Sequence, residues 1–372
     1  MRSEKRMSEN ESPFETKIRD LFVREGLELL GFIKLSGDVK SFSNFRQWLS
    51  EGKHADMGYM ENYQEIRQDP SLLEVGLRHS IIFGMPYYQG DRYQNGSCGG
   101  GQVPRIAQYA RMKDYHKSMK KKAIAIFDDL HSIFGVKGRV TIDTAPILER
   151  DLAVRASFGF IGKNTCFIEP RKGSFFLLGA IHFKEWKELS ILEEIKRDEI
   201  ADLKKDFDPA KRSKELGGCG TCRRCQVFCP TGALDEDYVL DANKCLSYWT
   251  IEHRGLIPKW LWKGIGQYWY GCDICQLVCP YNRKIAISKA PLRKSIVNID
   301  LFEVATMSQH YYEETFGGTP MTRAKKSGLQ RNALIAMFSR GDSRLGRAIE
   351  VLQSNSPLPE VIQGTINSIL EG

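Results

Sequence analysis

The chain is 372 residues long, with 42% hydrophobic residues, 27% charged residues and a formal net charge of +8. That balance excludes a disordered or fibrous protein and is enough for two or three domains with a sizeable core. The positive excess favours an anionic partner, no apolar run is long enough for a membrane-spanning helix, and ten cysteines in such a chain read as metal ligands rather than as a disulfide framework.

Met1 to Ser12 is polar and charged, with no hydrophobic stretch behind it. It reads as a loose tail and not as a secretory signal, which places the protein in the cytoplasm. An amphipathic helix is expected from Phe14 to about Gly26, then a short apolar strand over Leu30 to Leu35. Phe42 to Asn62 reads as helix and Ser80 to Pro86 as a buried strand. A glycine-rich loop runs from Gly96 to Gly101. Tyr115 to Phe134 reads as a helix stopped by Gly135, Val140 to Ile142 as a strand ending at Asp143, and Ile147 to Phe158 as a helix. Thr165 to Ile168 and Ser174 to Phe183 read as a hairpin turned at Pro170 to Gly173. Helices and strands alternate without a strict βαβ rhythm, so the N-terminal part is α+β. Leu189 to Glu215 is a highly charged connector. After Thr319 the chain turns helical. Arg331 to Phe338 and Arg344 to Leu352, joined at Gly341, are expected to form an αα-hairpin like one HEAT-type unit.

From Met321 to Arg347 there are seven basic residues (Arg323, Lys325, Lys326, Arg331, Arg340, Arg344 and Arg347) and one acid, Asp342. Any one of them reads as part of a solvated helical face, but a cluster this one-sided points to a polyanion surface.

The cysteines carry the chemistry. Cys219, Cys222, Cys225, Cys229 and Pro230 form C-x2-C-x2-C-x3-C-P, the bacterial ferredoxin run, in which the fourth cysteine reaches the other cluster. Cys272, Cys275, Cys279 and Pro280 form a second run that is one cysteine short, and Cys245 makes up the deficit. One [4Fe-4S] cluster then takes Cys219, Cys222, Cys225 and Cys279. The other takes Cys229, Cys245, Cys272 and Cys275. Zinc ribbons built on CxxC pairs are the alternative, and they leave the third and fourth cysteines of the first run unexplained. Cys98 and Cys166 remain as plain thiols. Two clusters move electrons one at a time, so the N-terminal domain must hold whatever uses them.

Asp143 is the most informative residue there. A partly desolvated carboxyl at a strand end would have a raised pKa and serve as a proton donor. The competing reading is an N-cap for the helix starting near Ile147. Asp114 is a natural cap for the helix headed by Tyr115 and His116, and His116 reads as a surface histidine. Arg67 and Arg150 pair with local acids such as Asp69 and Glu149, or bind an anion. Gly99 to Gly101 and the Gly162-Lys163 pair lack the setting of a phosphate loop, which argues against a nucleoside triphosphatase.

The segment IDTAPILERDLAVRASFGFIGKNTCFI (Ile142 to Ile168) resembles the epoxyqueuosine reductase family. So do QYARMKDYH (Gln108 to His116), GSFFLLG (Gly173 to Gly179) and CLSYWTIEHRGLIP (Cys245 to Pro258). GCDICQLVCPYNR (Gly271 to Arg283) and PMTRAKKSGLQRNALIAM (Pro320 to Met337) extend the similarity over nearly the whole chain. The resemblance implies an oxidoreductase of tRNA processing, which reduces epoxyqueuosine to queuosine at the wobble position in the last step of queuosine biosynthesis. It implies cobalamin beside one of two [4Fe-4S] clusters, electrons passed through the clusters to cobalt, and an aspartate, here Asp143, that protonates the departing oxygen. The implied architecture is a disordered tail over 1–13, an α/β cobalamin-binding domain over 14–190, a ferredoxin-type domain over 191–285 and a HEAT-like tRNA-binding region over 286–372. Carried over by position, the cobalamin pocket takes Arg67, Ala107, Asp143, Phe167 and Leu178. Ala242, Trp249, Trp269, Tyr270, Gly271 and Cys272 close it from the cluster side. The tRNA side takes Arg150, Ser247, His253, Arg254, Arg323, Lys325, Lys326 and Arg331. A monomer served by a low-potential electron donor, with no membrane contact, completes the expectation. Met112 departs from the family, which has glycine there. Two other functions stay open: a corrinoid enzyme like the reductive dehalogenases, acting on a small molecule, and a plain ferredoxin-type electron carrier.

Overall fold

The computed structural model describes residues 12–35, 39, 41–91, 105–156, 159–189, 218–355 and 357–371. The glycine-rich loop with Cys98, and all of the charged connector beyond Leu189, lie outside them.

A four-stranded antiparallel sheet organises the N-terminal part, which is α+β. Its strands are β1 (Glu28–Lys34), β2 (His79–Pro86), β4 (Gly138–Ile142) and β7 (Phe176–Phe183), in the order β1-β2-β7-β4. Side chains alternate faces along a strand, and β2 feeds two cores in this way. Ile81 and Phe83 join Ile18 and Phe22 of α1 (Pro13–Arg24) and Met119 and Ile126 of α4 (Tyr115–Phe134). Ile82 joins Phe42 of α2 (Phe42–Ser50) with Leu152 and Ala153 of α5 (Glu149–Ala156). A short helix, α3 (Gln64–Gln68), carries Arg67.

Two expectations for this part fail. The helix over 42–62 ends at Ser50, because the cysteine-rich module captures the segment after it. Trp48 donates its indole N–H to Leu240 O at 2.7 Å, Lys53 O accepts from Ala242 N at 2.8 Å, and Tyr248 donates to Asp56 at 2.6 Å. These tertiary bonds outweigh helix propensity. The hairpin over 165–183 forms only its turn, where Glu169 and Gly173 bridge across Pro170 to Lys172, and its arms part beyond that. β6 (Phe167–Ile168) pairs with β5 (Phe160–Ile161), while β7 inserts between β2 and β4. The centre of the sheet, buried on both faces, is where the apolar run 176–183 loses most water.

The cysteine-rich part contains α6 (Arg224–Val227), α7 (Leu246–Ile251), α8 (Trp262–Ile265), β8 (Tyr268–Tyr270) and α9 (Ile274–Leu277). The remaining helices are α10 (Lys294–Val297), α11 (Leu301–Thr306), α12 (Gln309–Phe316), α13 (Lys325–Arg340), α14 (Leu345–Gln353) and α15 (Glu360–Leu370). The expected outer hairpin is replaced by a bundle around α13. Gly328 to Met337 is buried without interruption, so α13 has no solvent stripe over that stretch. Leu246, Leu261, Trp262, Ile265 and Trp269 share its core. The stretch between Cys245 and Cys272 therefore packs with the helical layer, across the boundary expected near residue 285.

The strand β3 (Arg105–Ile106) pairs parallel with β8 and stitches the N-terminal part to the cysteine-rich part. Ala107 N donates to Tyr270 O at 2.8 Å. Gly271, at φ +66, leaves no room for a side chain, since a Cβ there would lie 2.5 Å from Ala107 Cβ. Met112 sits buried in the core with an extended backbone, φ −106, and bridges to Leu292. Among the described residues no helix is long and apolar enough to cross a membrane.

Candidate active site and cluster sites

β4 ends at Ile142, so the chain delivers Asp143 at the edge of the sheet, at φ 53. That left-handed backbone costs a residue with a Cβ about 1–2 kcal/mol, and such outliers gather at functional sites. The capping reading fails, because α5 starts only at Glu149. What Asp143 does instead is accept two hydrogen bonds on Oδ2, from the Tyr115 hydroxyl at 2.7 Å and from His116 Nε2 at 2.8 Å. His116 Nδ1 faces Asp114 at 2.8 Å. An imidazole between two carboxylates is held best as the imidazolium, which donates from both nitrogens. Tyr115 and His116 stack with ring centroids 4.0 Å apart, which fixes both groups on Asp143. Among the described residues, no hydrogen bond reaches Asp143 Oδ1.

The electrostatics correct one expectation. Burial pushes the Asp143 carboxyl up, but the bonds from His116 and Tyr115 and the charges of His116 and Arg323 outweigh it, and the net direction is down. His116 is raised, mainly by its bond to Asp143 and against the pull of burial. The resting proton therefore sits on His116 and not on Asp143. The Asp143 side chain is 56% exposed, yet burial is still the largest influence on it.

Glu149 stands close enough to Asp143 to feel its charge. Burial, with Asp143 nearby, pushes its carboxyl up to about 8, and its Oε1 has no hydrogen-bond partner. Arg67 is buried, donates to Asn62 O at 3.3 Å and lies over the Phe45 ring. Its expected partner Asp69 instead caps Ser71 at 3.0 Å. Phe167 and Leu178 pack in the core on α5, while Ala107 meets Tyr270 and Gly271 on the cluster side. Trp269 and Tyr270 bury their side chains in the helical core, so this stretch offers backbone there rather than rings. Ala242 is buried and Trp249 donates to Asn243 O at 2.7 Å. A buried carboxyl oxygen without a hydrogen-bond partner at Glu149, near the exposed Asp143, fits a large ligand edged with amides, as a corrin is.

The cysteines fall into two groups. Cys225 feels the charges of Cys219 and Cys222, and Cys279 those of Cys219 and Cys225. Cys272 feels Cys245 and Cys229, and Cys275 feels Cys272 and Cys245. This partition is the one the ferredoxin spacing requires. Burial, with like charges alongside, pushes the Cys225 thiol up to about 11 and Cys279 up to about 12. Such crowded thiols gain most from a cationic group that takes their protons. A cavity of about 210 Å³, lined by Cys219, Cys222, Cys225 and Cys279, separates the first group. Among the described residues no three His, Cys, Asp or Glu side chains converge on one point as a single ion requires. Four thiols around a cavity suit a cubane, whose ligands bind four separate irons.

The loop 162–166 is wedged against both groups. Lys163 N donates to Cys219 Sγ at 3.3 Å, and Asn164 Nδ2 donates to Cys275 O at 3.2 Å. Gly162 is required by close approach, as a Cβ would fall 2.6 Å from Asn164 Oδ1. The near miss to a phosphate loop is thus a cluster-facing turn.

The tRNA-side residues meet different fates. Arg331 is a correction: it is fully buried, and its guanidinium donates to Gly255 O at 2.6 Å, Trp249 O at 2.9 Å and His253 O at 3.0 Å. It closes carbonyls inside the bundle and presents nothing to a phosphate. Arg323 forms a bidentate pair with Glu252 at 2.7 and 2.9 Å, over the Tyr59 ring. Arg344 is taken by Asp300 and by its neighbour Asp342, so distant acids pair with two of the seven basic residues, Arg323 and Arg344. Lys325 is exposed and Lys326 half-buried. Arg254 donates to Arg323 O at 2.7 Å, which places it beside Arg323. His253 bonds Asp56 at 2.9 Å, Ser247 bonds the Cys245 thiol, and Arg150 donates to Thr165 O. Sequence reasoning undervalued Tyr115, His116 and Glu149, whose roles depend on which strand end they face.

Comparisons with known proteins agree with this arrangement. Residues 218–282 match the family described as a 4Fe-4S double cluster binding domain. Residues 67–144, which include Arg67, His116 and Asp143, match the one described as epoxyqueuosine reductase QueG, DUF1730. An epoxyqueuosine reductase of Pseudomonas aeruginosa is 32% identical over 299 residues, covering 79% of this chain and 77% of its own. That of Xanthomonas campestris is 32% identical over 331 residues, covering 86% and 85%. The fold is similar to that of an epoxyqueuosine reductase crystallised with an epoxyqueuosine-modified tRNA-Tyr stem loop, with a TM-score of 0.78 and 24% identity, covering 95% of this chain and 88% of that one. The Streptococcus thermophilus enzyme gives a TM-score of 0.76. With sequence similarity running through both the cysteine module and the Asp143 segment, the chain belongs to the epoxyqueuosine reductase family.

Proposed function

We propose that this protein reduces epoxyqueuosine to queuosine in tRNA. The observation that carries the reading is the short link between a proton store and a thiol group. Asp143 is bonded to Tyr115, Tyr115 lies edge-on to Tyr109 with centroids 6.2 Å apart, and Tyr109 shares a hydrogen bond with Tyr270, two residues before Cys272. A reaction that needs electrons and protons at one place requires both to arrive there.

Removing the epoxide oxygen as water consumes two electrons and two protons and leaves an alkene. Cobalamin, when bound, supplies a strongly reducing centre for that C–O cleavage. Arg67, Ala107, Phe167, Leu178 and Glu149 would hold it on the N-terminal side, with the backbone of 269–272 opposite. The two cysteine groups would hold the [4Fe-4S] clusters that pass electrons one at a time from a low-potential donor. Asp143 takes up the proton of His116 and passes it to the leaving oxygen as the C–O bond breaks, which leaves His116 neutral and Asp143 ionised again. An expelled alkoxide is a poor leaving group unless protonated, and positioned acid catalysis contributes about 10²–10⁴-fold. Tyr115, pushed far above its usual range by burial, stays a hydroxyl donor throughout and fixes the carboxylate. Arg254, Lys325 and Lys326 remain as the cations placed to meet tRNA phosphates. The test is anaerobic reconstitution with iron, sulfide and cobalamin, incubation with epoxyqueuosine-containing tRNA, and mass analysis of the digested nucleosides. Queuosine is the expected product; unchanged epoxyqueuosine from a protein loaded with both cofactors would refute the proposal.

A further inference from the structure

The two thiol groups have different surroundings. In the second group Cys272 follows Gly271, which packs so closely on Ala107 that a Cβ would lie 2.5 Å from that of Ala107. The first group adjoins the surface. Among the described residues, its cavity is lined by Lys163 and Arg224 beside the four thiols and by no carboxylate. Within the same cysteine run Gly220, Thr221, Arg223 and Arg224 are exposed, and Val227, between Cys225 and Cys229, is 75% exposed. The acids nearby already have cations: Asp237 pairs with Lys163 at 2.9 Å, Glu236 with Lys53 at 2.9 Å and Asp235 with Lys244 at 3.5 Å. The arginines have only neutral acceptors. Arg223 donates to Gln226 Oε1 at 3.0 Å and Arg224 to Val278 O at 2.9 Å. Just beyond Tyr281, which also lines the cavity, Arg283 and Lys284 are exposed. Among the described residues none of these four cations forms an ion pair.

We propose that this face docks a small acidic electron-carrier protein, which delivers its electron to the cluster held by Cys219, Cys222, Cys225 and Cys279. The proposal rests on the cluster reading above. Each delivery oxidises the carrier by one electron and reduces the cluster by one, with no bond made and no proton moved. Electron transfer slows steeply with distance, so a carrier must approach a cluster closely from outside, and the first group is the one bordered by exposed backbone. The carrier must also leave after each delivery. Encounters of this kind use small interfaces, and opposite charges across them raise the association rate more than the affinity. Val227 gives the apolar contact. Arg223, Arg224, Arg283 and Lys284 give the charge, and their sign selects an acidic partner.

A plant-type ferredoxin, an acidic carrier of low potential, is the probe. The full chain is reconstituted anaerobically as wild type, Arg223→Glu and Lys284→Glu, and iron is counted. Binding of oxidised ferredoxin is measured by calorimetry, and oxidation of reduced ferredoxin by rapid mixing, both at several salt concentrations. All three forms should hold about eight irons and take electrons equally from dithionite, a small reductant that needs no docking. At low salt each charge reversal should slow electron transfer from ferredoxin by about tenfold. The three forms should converge at high salt, where the charges are screened. Binding of a tRNA stem loop should be the same in all three. Equal ferredoxin rates in the three forms at every salt concentration would overturn the proposal. So would a wild type that accepts electrons from dithionite but neither binds nor oxidises ferredoxin. Reversals that weaken tRNA binding and leave ferredoxin unaffected would make this a tRNA face instead. Loss of iron in both variants would make the cations supports of the cluster and overturn the docking role. A wild type without iron would refute the cluster reading itself.

Discussion

Replacing His116 by Gln separates proton supply from architecture. A glutamine amide still donates one hydrogen bond to Asp143, but it carries no mobile proton. The folding contribution of the His116–Asp143 pair is small, because the side chains are 35% and 56% exposed. After solvent screening, a pair of this kind is worth roughly 0–1 kcal/mol. Loss of proton delivery should cost far more, about 10²–10³-fold in turnover, or about 3–4 kcal/mol of barrier at 1.36 kcal/mol per decade. The pH dependence has a definite sign. His116 is raised above 6.5, so its stabilising charge and its proton are fully present below about pH 6.5 and are lost as pH rises through the folded-state value. Asp143 is lowered from 3.8, so its contribution is present above about pH 3.8 and is lost as pH falls through its folded-state value. The charged pair spans the interval between, and wild-type turnover should decline on the alkaline side. Single-turnover conversion of epoxyqueuosine tRNA, measured across that limb for both proteins beside a thermal melt, reads rate and stability together. His116→Gln turning over within threefold of wild type, with the same alkaline decline, would refute the assignment of the proton to His116.

Asp143→Asn should fold, bind iron and melt like the wild type while its turnover falls by about 10²–10⁴-fold; a matching loss of stability would return the residue to a structural role. Cys245→Ser should lower the iron content from about eight to about four per chain if the two groups of thiols are separate clusters, as iron analysis would show. Arg331→Met should destabilise the fold by several kcal/mol, at about 1–3 kcal/mol for each buried carbonyl left without a donor, without changing the salt slope of tRNA binding by the folded fraction. Lys325→Ala with Lys326→Ala should flatten that slope by about one to two; an unchanged slope would remove them from the tRNA surface.

The sequence was most legible where spacing alone carries chemistry. The interval pattern from Cys219 to Cys279 implied two interleaved groups of four, and the thiols group that way in space. Tyr115 to Phe134 was legible to the residue, because Asp114 and Gly135 bound a long periodic run. The errors share one cause, which is that local pattern does not encode distant partners. The segment after Ser50 has helical composition, but Ala242 and Tyr248 draw it into turns. Arg331 looks like its basic neighbours in the chain, and only the carbonyls of residues 249–255 reveal that it is a buried strut. His116 read as a surface residue because the carboxylate it serves, Asp143, lies 27 positions away.

The same long-range dependence explains why reductant and acid are brought together by a single seam. Electrons have to come through protein from the cysteine module, so that side of the cleft must be dry. It is closed by buried Ala107, Tyr270 and Gly271, where even one added Cβ would collide. Protons must be replaced from water after each turnover, so the other side must stay wet. There His116 and Asp143 are half-exposed, and Asp114 holds the imidazole charged. The half-buried Tyr109 stands between the two, touching Tyr115 on the wet side and Tyr270 on the dry side. It keeps the proton store close to the thiols without opening them to solvent. A strongly reducing centre exposed to water would lose its electrons to protons. His116 and Asp143, half-exposed at the other side, are the groups placed to take protons from water and release them to a leaving oxygen.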